Sequence, residues 1–231
     1  MKYYFLKHTY FTKFTVWTAV LLIAVTACKK QDSTYRDVLE GKFPSYAGRP
    51  DSMNFHPGNN RAQISFRIKD PSVNKVIFYW NNRKDSTVYA IDQPSLTIHH
   101  VNIAPLEEKY HNIDFYTFYP DGTSSIKNTQ MGNVYGNAYQ SSLLNRLIES
   151  TVLRNDSLFI NWYKAYPDLV GMEVRYIDMV GDAKTIVTDA AEEVMALPKF
   201  QKGGELKYRS IYLPDSLAID SFYTEFKNLK I

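Results

Sequence analysis

Histidine and carboxylate side chains are where metal or hydrolytic chemistry would have to start, and this chain spaces them poorly for either. His99 and His100 are adjacent, and neighbours on a strand point to opposite faces, so the two cannot readily clamp one metal ion. An exposed strand pair is the simpler reading, and His111 stands alone. No HExxH, GxSxG or phosphate-cradling glycine motif occurs, and Gly203 with Gly204 reads as a turn. A glycosidase needs two carboxylates facing each other across a cleft, an arrangement that sequence spacing does not reveal. The single cysteine excludes an intrachain disulfide and a cysteine-cluster metal site. These residues predict a non-catalytic protein with no metal and no cofactor.

The position of that cysteine carries more. Lys2, Lys7 and Lys13 precede an uncharged, mostly apolar run from Phe14 to Ala27, which ends in small residues directly before Cys28. A charged start, an apolar middle and a small-residue end make a signal peptide. The run is shorter than the ~20 residues a spanning helix needs, so an uncleaved transmembrane anchor is the weaker alternative; an ordinary secretory leader with an incidental cysteine is the other. Val25, Thr26, Ala27 and Cys28 resemble the lipobox of bacterial lipoproteins. That resemblance implies cleavage before Cys28 and acylation of its thiol and freed amine with palmitate-like chains. Each buried methylene contributes ~0.8 kcal/mol, so several chains anchor a protein almost permanently. The reading is therefore a signal peptide over 1–27 and a lipidated tether and N-terminal segment over 28–50, polar from Lys29 to Thr34. It places the protein in the cell envelope, on the outer membrane, with the periplasmic or surface side left open.

Charge narrows the partners. The formal +3 comes wholly from the three leader lysines, and after Cys28 the charges balance at 24 basic and 24 acidic residues. No Lys/Arg cluster suited to displacing counterions from phosphates follows, which excludes nucleic acid.

From Asp51 onward the pattern is one of short alternating apolar runs between turn residues. Strands are expected at Arg61 to Ile68, Lys75 to Trp80, Thr87 to Ile91, Leu96 to Val101, His111 to Tyr119, and in a last run ending near Val134. A second series follows at Leu153, Ser157 to Trp162, Met172 to Ile177, Lys184 to Val187, Glu193 to Leu197, Leu206 to Tyr212 and Phe222 to Phe226. A helix around Asp189 to Ala196 is the main competitor. The two halves read as weak copies, giving a sandwich over 51–134, a linker over 135–147 and a sandwich over 148–231.

Trp162, followed by Met172, Val174 and Tyr176 at alternate positions, resembles the second and third strands of fibronectin type III domains, with Phe66 in the tryptophan's place in the first copy. That likeness implies an all-β fold of two tandem immunoglobulin-like or fibronectin type III-like sandwiches. The whole chain resembles a family of uncharacterised Bacteroidota lipoproteins through Tyr46 to Asp51 (YAGRPD), Pro57, Gly58 and Arg61, Tyr79 to Asn82 (YWNN) with Asp85 and Ser86, and Val134 to Arg146 (VYGNAYQSSLLNR). It departs from that family at Lys42, after Gly41, and at His111, where tyrosine is more usual.

Alternation then predicts one unusual surface. If Val76, Phe78 and Trp80 point inward, Ile77 and Tyr79 point outward, and on the neighbouring strand Ile113 and Phe115 inward leaves Tyr116 and Phe118 outward. Tyr79, Tyr116 and Phe118 form a candidate ligand-binding face. The equivalent positions of the second copy, Glu173, Arg175, Lys207 and Arg209, read as an ordinary solvated face. The second domain or the Tyr35 to Tyr46 segment could cover the aromatic face; otherwise it suits sugar rings or a partner protein. Ser33, Ser52, Ser86, Ser157 and Ser216 each follow an aspartate in a pattern resembling an O-glycosylation sequon of secreted Bacteroidota proteins, although Asp-Ser is also ordinary turn chemistry. The leading expectation is a lipoprotein binding a glycan or a protein of an outer-membrane uptake complex. The alternatives are a structural spacer and an accessory or cryptic hydrolase.

Overall fold

Residues 45–92 and 97–231 are described in a computed structural model. Residues 1–27, the tether, Cys28, Ser33, Gly41, Lys42 and Leu96 lie outside them.

The period of two sets the strands. Along β3 (Lys75–Trp80), Val76 and Phe78 are buried while Lys75, Ile77 and Tyr79 stay partly exposed. β1 (Asp51–Pro57), β2 (Ala62–Arg67) and β5 (Ile98–Ile103) make one sheet in the order β1-β2-β5. β4 (Asp85–Ala90), β6 (Tyr110–Phe118) and β7 (Asn128–Asn133) join β3 in a second, β4-β3-β6-β7. Phe66 from one sheet meets Phe78 of the other at 5.7 Å between ring centroids, and Phe78 meets Phe115 at 5.2 Å. Burying each such ring contributes about 1.5–3 kcal/mol.

The second half repeats the order. β8 (Ile148–Arg154), β9 (Ser157–Trp162) and β12 (Val194–Pro198) form β12-β9-β8. β10 (Leu169–Ile177), β11 (Ala183–Asp189), β13 (Glu205–Tyr212) and β14 (Phe222–Tyr223) form β11-β10-β13-β14, and β15 (Lys227–Lys230) also pairs with β13. Trp162 is buried against Tyr208, 5.4 Å between centroids. Three strands facing four in the first half and three facing five in the second, all antiparallel and in the same order, make two immunoglobulin-like, fibronectin type III-like sandwiches.

The differences from expectation have local causes. At the helix competitor, Ala190–Glu193 turns and β12 follows, because Met195 and Leu197 alternate into the core. The expected strand Phe222 to Phe226 breaks in two: Thr224 Oγ1 accepts from Ser210 N and donates to Asn145 Oδ1, and Phe226 falls between β14 and β15. The segment 135–147 contains a helix, α1 (Asn137–Ser142). Its N-cap residue, Gly136, has no side chain to meet the first free amides. Glu108 of the first sandwich does so instead, accepting from Ala138 N at 2.7 Å and Tyr139 N at 2.6 Å.

That segment is accordingly part of a joint. Asp220 accepts from Arg61 Nε (2.8 Å), Arg61 Nη2 (2.5 Å) and Asn59 N (2.8 Å), while Ile219 N donates to Pro57 O (2.8 Å). The Arg61 guanidinium holds the Asp220 carboxyl below its usual range. Asn60 N donates to Tyr135 O, and the rings of Tyr135 and Tyr139 pack on Phe222. A Cβ on Gly58 would approach Asp220 Oδ2 to 2.6 Å, so only glycine lets the strands come this close.

Candidate functional site

Four-residue turn chemistry builds the site. β3 and β4 are joined through Asn81 to Lys84, with Asn81, Asn82 and Arg83 all at positive φ (49°, 54° and 63°). Asparagine tolerates this region, whereas a long side chain there is uncommon. Asn81 Nδ2 donates to Asp85 Oδ2 at 3.1 Å, closing the loop. The left-handed turn sends Arg83 back over the sheet.

Arg83 meets the expected aromatic face. Tyr79 and Tyr116 do lie side by side on the outer surface of β3 and β6, edge to face at 6.1 Å. The Arg83 Cζ sits 5.5 Å from the Tyr79 centroid and 5.2 Å from that of Tyr116, and an Arg83 N–H donates to the Tyr116 hydroxyl. Phe118, paired with Lys75 in register, has the Lys75 ammonium 5.4 Å from its centroid. The three rings are therefore partly buried beneath cations rather than laid bare. The second sandwich does not account for this. Among the described residues, hydrogen bonds, ion pairs and ring contacts between the sandwiches involve none of the three; residues 35–44 of the other expected cover, Tyr35 to Tyr46, lie outside the described residues.

Trp80 packs against the core as expected but is incompletely covered. Phe78 is fully buried, whereas Trp80, at the last position of β3, is only partly buried at the edge of the core. Alternation directs a strand's side chain but guarantees no cover past the end of the opposing sheet. Trp80 lines two depressions. One, about 450 Å³, adds Asn60, Asn81, Asp85, Glu107, Lys109 and His111. The other, about 350 Å³, adds Tyr79, Asn82, Arg83, Asn112, Asp114 and Lys127. His111, buried on β6, donates from Nε2 to the Glu107 carbonyl at 2.8 Å, since a carbonyl can only accept. Lys127 pairs with Asp114 at 3.7 Å, and Asp114 Oδ1 accepts from Thr129 Oγ1 at 2.7 Å. One indole among planar amides, carboxylates and cations can stack an apolar ring face and hydrogen-bond its edge. Of the sequence candidates, Tyr79 lines this site, Tyr116 is tied to it through Arg83, and Phe118 does not line it. The dipeptide Trp80-Asn81 followed by Asp85 was the signal for the rest.

No group of three or more His, Cys, Asp or Glu side chains poised to hold a metal occurs among the described residues. His99 and His100 do diverge, His99 stacking on Phe66 at 5.5 Å and His100 bonding Gln63 on the opposite face. Of the serines after aspartate, Ser52, Ser86 and Ser216 are exposed and Ser157 is half-buried; Ser52 Oγ also accepts from Arg67 Nη2 at 3.1 Å.

The second sandwich corrects the expectation of an ordinary solvated face. Glu173 is only 5% exposed, with Oε1 accepting from Arg175 Nε at 2.5 Å and Oε2 from Arg209 Nε at 2.7 Å. Burial pushes its carboxyl up, but the two arginines outweigh this and leave it below its usual range. The pairing of Glu173 with Arg209 across β10 and β13 was available in the sequence only once the register was known.

A family profile described as a domain of unknown function, DUF4998, matches residues 28–222. The chain belongs to this family. The match takes in the first sandwich, the joint and the second sandwich as far as the start of β14, so the Trp80 depressions and α1 lie inside the family's domain. No curated protein matches the chain in sequence. Among solved structures, it is similar to the FN1–FN3 domains of chicken CNTN1, at 11% identity and a TM-score of 0.44, covering 81% of this chain and 67% of that one. It is also similar to a two-domain fibronectin type III segment of chicken tenascin, at 12% identity and a TM-score of 0.31, covering 80% and 99%.

Proposed function

We propose that this protein is a non-catalytic, lipid-anchored component of the bacterial cell envelope, held at the outer membrane through Cys28, whose first sandwich binds a glycan at Trp80. The observation that carries the reading is the partly exposed Trp80 indole lining two depressions, whose polar lining residues include Asn60, Asn81, Asn82, Asn112, Asp85 and Arg83. A pyranose presents an apolar face to stack on an aromatic ring and hydroxyls at its edge for amides and carboxylates. The left-handed residues Asn81 to Arg83 fit the same reading, since backbone strain concentrates at binding sites. Tyr79 and Tyr116 act by holding Arg83 at the rim.

The test is calorimetric titration of the purified protein with a panel of neutral oligosaccharides, repeated with Trp80→Ala and with Tyr79 and Tyr116 both replaced by alanine. Binding that disappears in Trp80→Ala, with the circular dichroism spectrum unchanged, supports the site. Equal affinity in wild type and Trp80→Ala removes it.

A second reading, a spacer that holds partners away from the membrane, is favoured by the joint. The Arg61 to Asp220 fork, the Glu108 cap on α1 and the Tyr135, Tyr139 and Phe222 rings leave few free torsions between the sandwiches. Absence of any glycan ligand, together with an oriented complex with an outer-membrane uptake protein, would favour it.

A further inference from the structure

The outer face of the second sandwich gathers positive charge around one ring. The guanidinium carbons of Arg175 and Arg209 each lie 4.7 Å from the Phe226 centroid, and the Lys207 ammonium lies 5.1 Å from it. Arg209 also sits 4.1 Å from the centroid of Tyr223. One carboxylate, Glu173, answers two of the three cations. Its oxygens take Nε and Nη2 of both arginines, and among the described residues neither Nη1 nor the Lys207 ammonium donates a hydrogen bond. Arg175 and Lys207 are moreover direct partners across β10 and β13, a like-charge pairing that costs stability. Departures of this kind from local rules concentrate where a protein binds something.

Beside the cluster lies a depression of about 500 Å³ lined by Arg175, Lys207, Lys184, Thr185 and Asn228, with Glu205 also on it. Lys184 is already paired with Asp178 and Asp182. The free donors are thus those of Arg175, Arg209 and Lys207, facing outward beside Tyr223, which is 37% exposed.

We propose that Arg175, Lys207 and Arg209, spread on Phe226 and oriented by buried Glu173, bind the carboxylate or sulfate group of an acidic polysaccharide. The unused guanidinium edges supply directional hydrogen bonds to an oxyanion, Lys207 adds a point charge, and Tyr223 offers a face for the sugar ring. A membrane surface fits less well. It would favour cations that project freely, whereas Arg209 is largely covered and both arginines are tied down to Glu173. This site shares no residue with the Trp80 depressions, and its success or failure is independent of theirs.

The experiment is titration of the protein, in detergent at low salt, with polygalacturonate, dextran sulfate and uncharged dextran, and in parallel with phosphatidylglycerol vesicles. Binding to polygalacturonate or to dextran sulfate, but not to dextran, identifies the carboxylate or the sulfate as the recognised group. The double variant Arg175→Gln/Lys207→Gln should then bind about tenfold more weakly, while Lys164→Gln/Lys202→Gln, which removes the same charge from exposed sites outside the cluster, should bind as wild type does. Glu173→Gln separates orientation from mere charge. It raises the local positive charge, so a diffuse electrostatic patch binds more tightly, whereas an oriented site binds more weakly with the far-ultraviolet spectrum preserved. Equal losses in the two double variants, tighter binding by Glu173→Gln, or binding to vesicles alone would overturn the proposal.

Discussion

Arg146, near the end of the segment joining the sandwiches, is 1% exposed and, among the described residues, hydrogen-bonds to no carboxylate. Its Nε donates to the Tyr163 carbonyl at 2.7 Å, and its Nη1 to the carbonyls of Ala190 and Glu192, each at 3.0 Å, with the Met172 sulfur at 3.4 Å. Its own amide donates to Ser210 Oγ at 2.8 Å. One guanidinium thereby ties the linker to the start of the β9–β10 loop, the β11–β12 turn and β10. Arg146→Ala leaves three carbonyls without that donor. Bonds from a charged donor are each worth about 1.5–3 kcal/mol, and the relief of no longer burying a cation offsets part of their loss. The net expected destabilisation is about 3–5 kcal/mol, as for other broken buried hydrogen-bond networks that leave polar groups unpaired. At about 2–4 °C per kcal/mol for a unit of this size, the thermal midpoint should fall by roughly 10 °C. Arg146→Lys keeps the charge but lacks the planar fork that reaches carbonyls in several directions, so it should recover less than half of the loss. Differential scanning calorimetry of the three proteins measures this. A shift below about 2 °C for the alanine variant, or wild-type stability for the lysine variant, would refute the argument that the fork holds the linker.

Further outcomes can be measured on the same preparation. Asp220 has its pKa depressed by Arg61, so its contribution to the joint is present in full above the unfolded value near pH 4 and is lost as the pH falls below it towards the folded value. Urea midpoints should therefore separate wild type from Asp220→Asn at pH 7 and converge near pH 2; a pH-independent gap would rule out the ion pair as the source. Gly132→Ala places a Cβ about 2.3 Å from the Phe55 ring, and such overpacking should cost about 1–3 kcal/mol in chemical unfolding. An unchanged midpoint would show that Phe55 moves aside freely. Trp80 is partly exposed and Trp162 buried, so in protein freed of residues 1–27 acrylamide should quench Trp80 fluorescence first, and Trp80→Phe should leave a blue-shifted, poorly quenched spectrum. Equal quenching of both proteins would contradict that placement.

Strand identity was legible because a period of two is written directly into the chain: Lys75 to Trp80 and Ser157 to Trp162 are strands over those same residues. The repetition of order was legible for the same reason, since Phe66 and Trp162, Val76 and Met172, and Phe78 and Val174 are buried in both copies. Sequence also placed Tyr79 and Tyr116 on one outer face. It could not place Arg83 upon them, because that depends on three consecutive left-handed residues in a turn that looked merely polar. It set Trp80 inward by alternation, although cover at a strand's end depends on how far the opposite sheet extends.

Interactions between distant residues needed the fold itself. Arg61 and Asp220 are 159 residues apart, and Glu108 caps a helix thirty residues further on. The cations around Phe226 converge only because β10 and β13 align Arg175 with Lys207 and a break in the last strand swings the ring over them. The sequence by itself determined which residues alternate, where the chain turns and how its charges balance, since these follow from neighbours along the backbone. The tertiary structure alone decided which side chains share a depression, because register and loop conformation bring together groups whose separation along the chain carries no local signal.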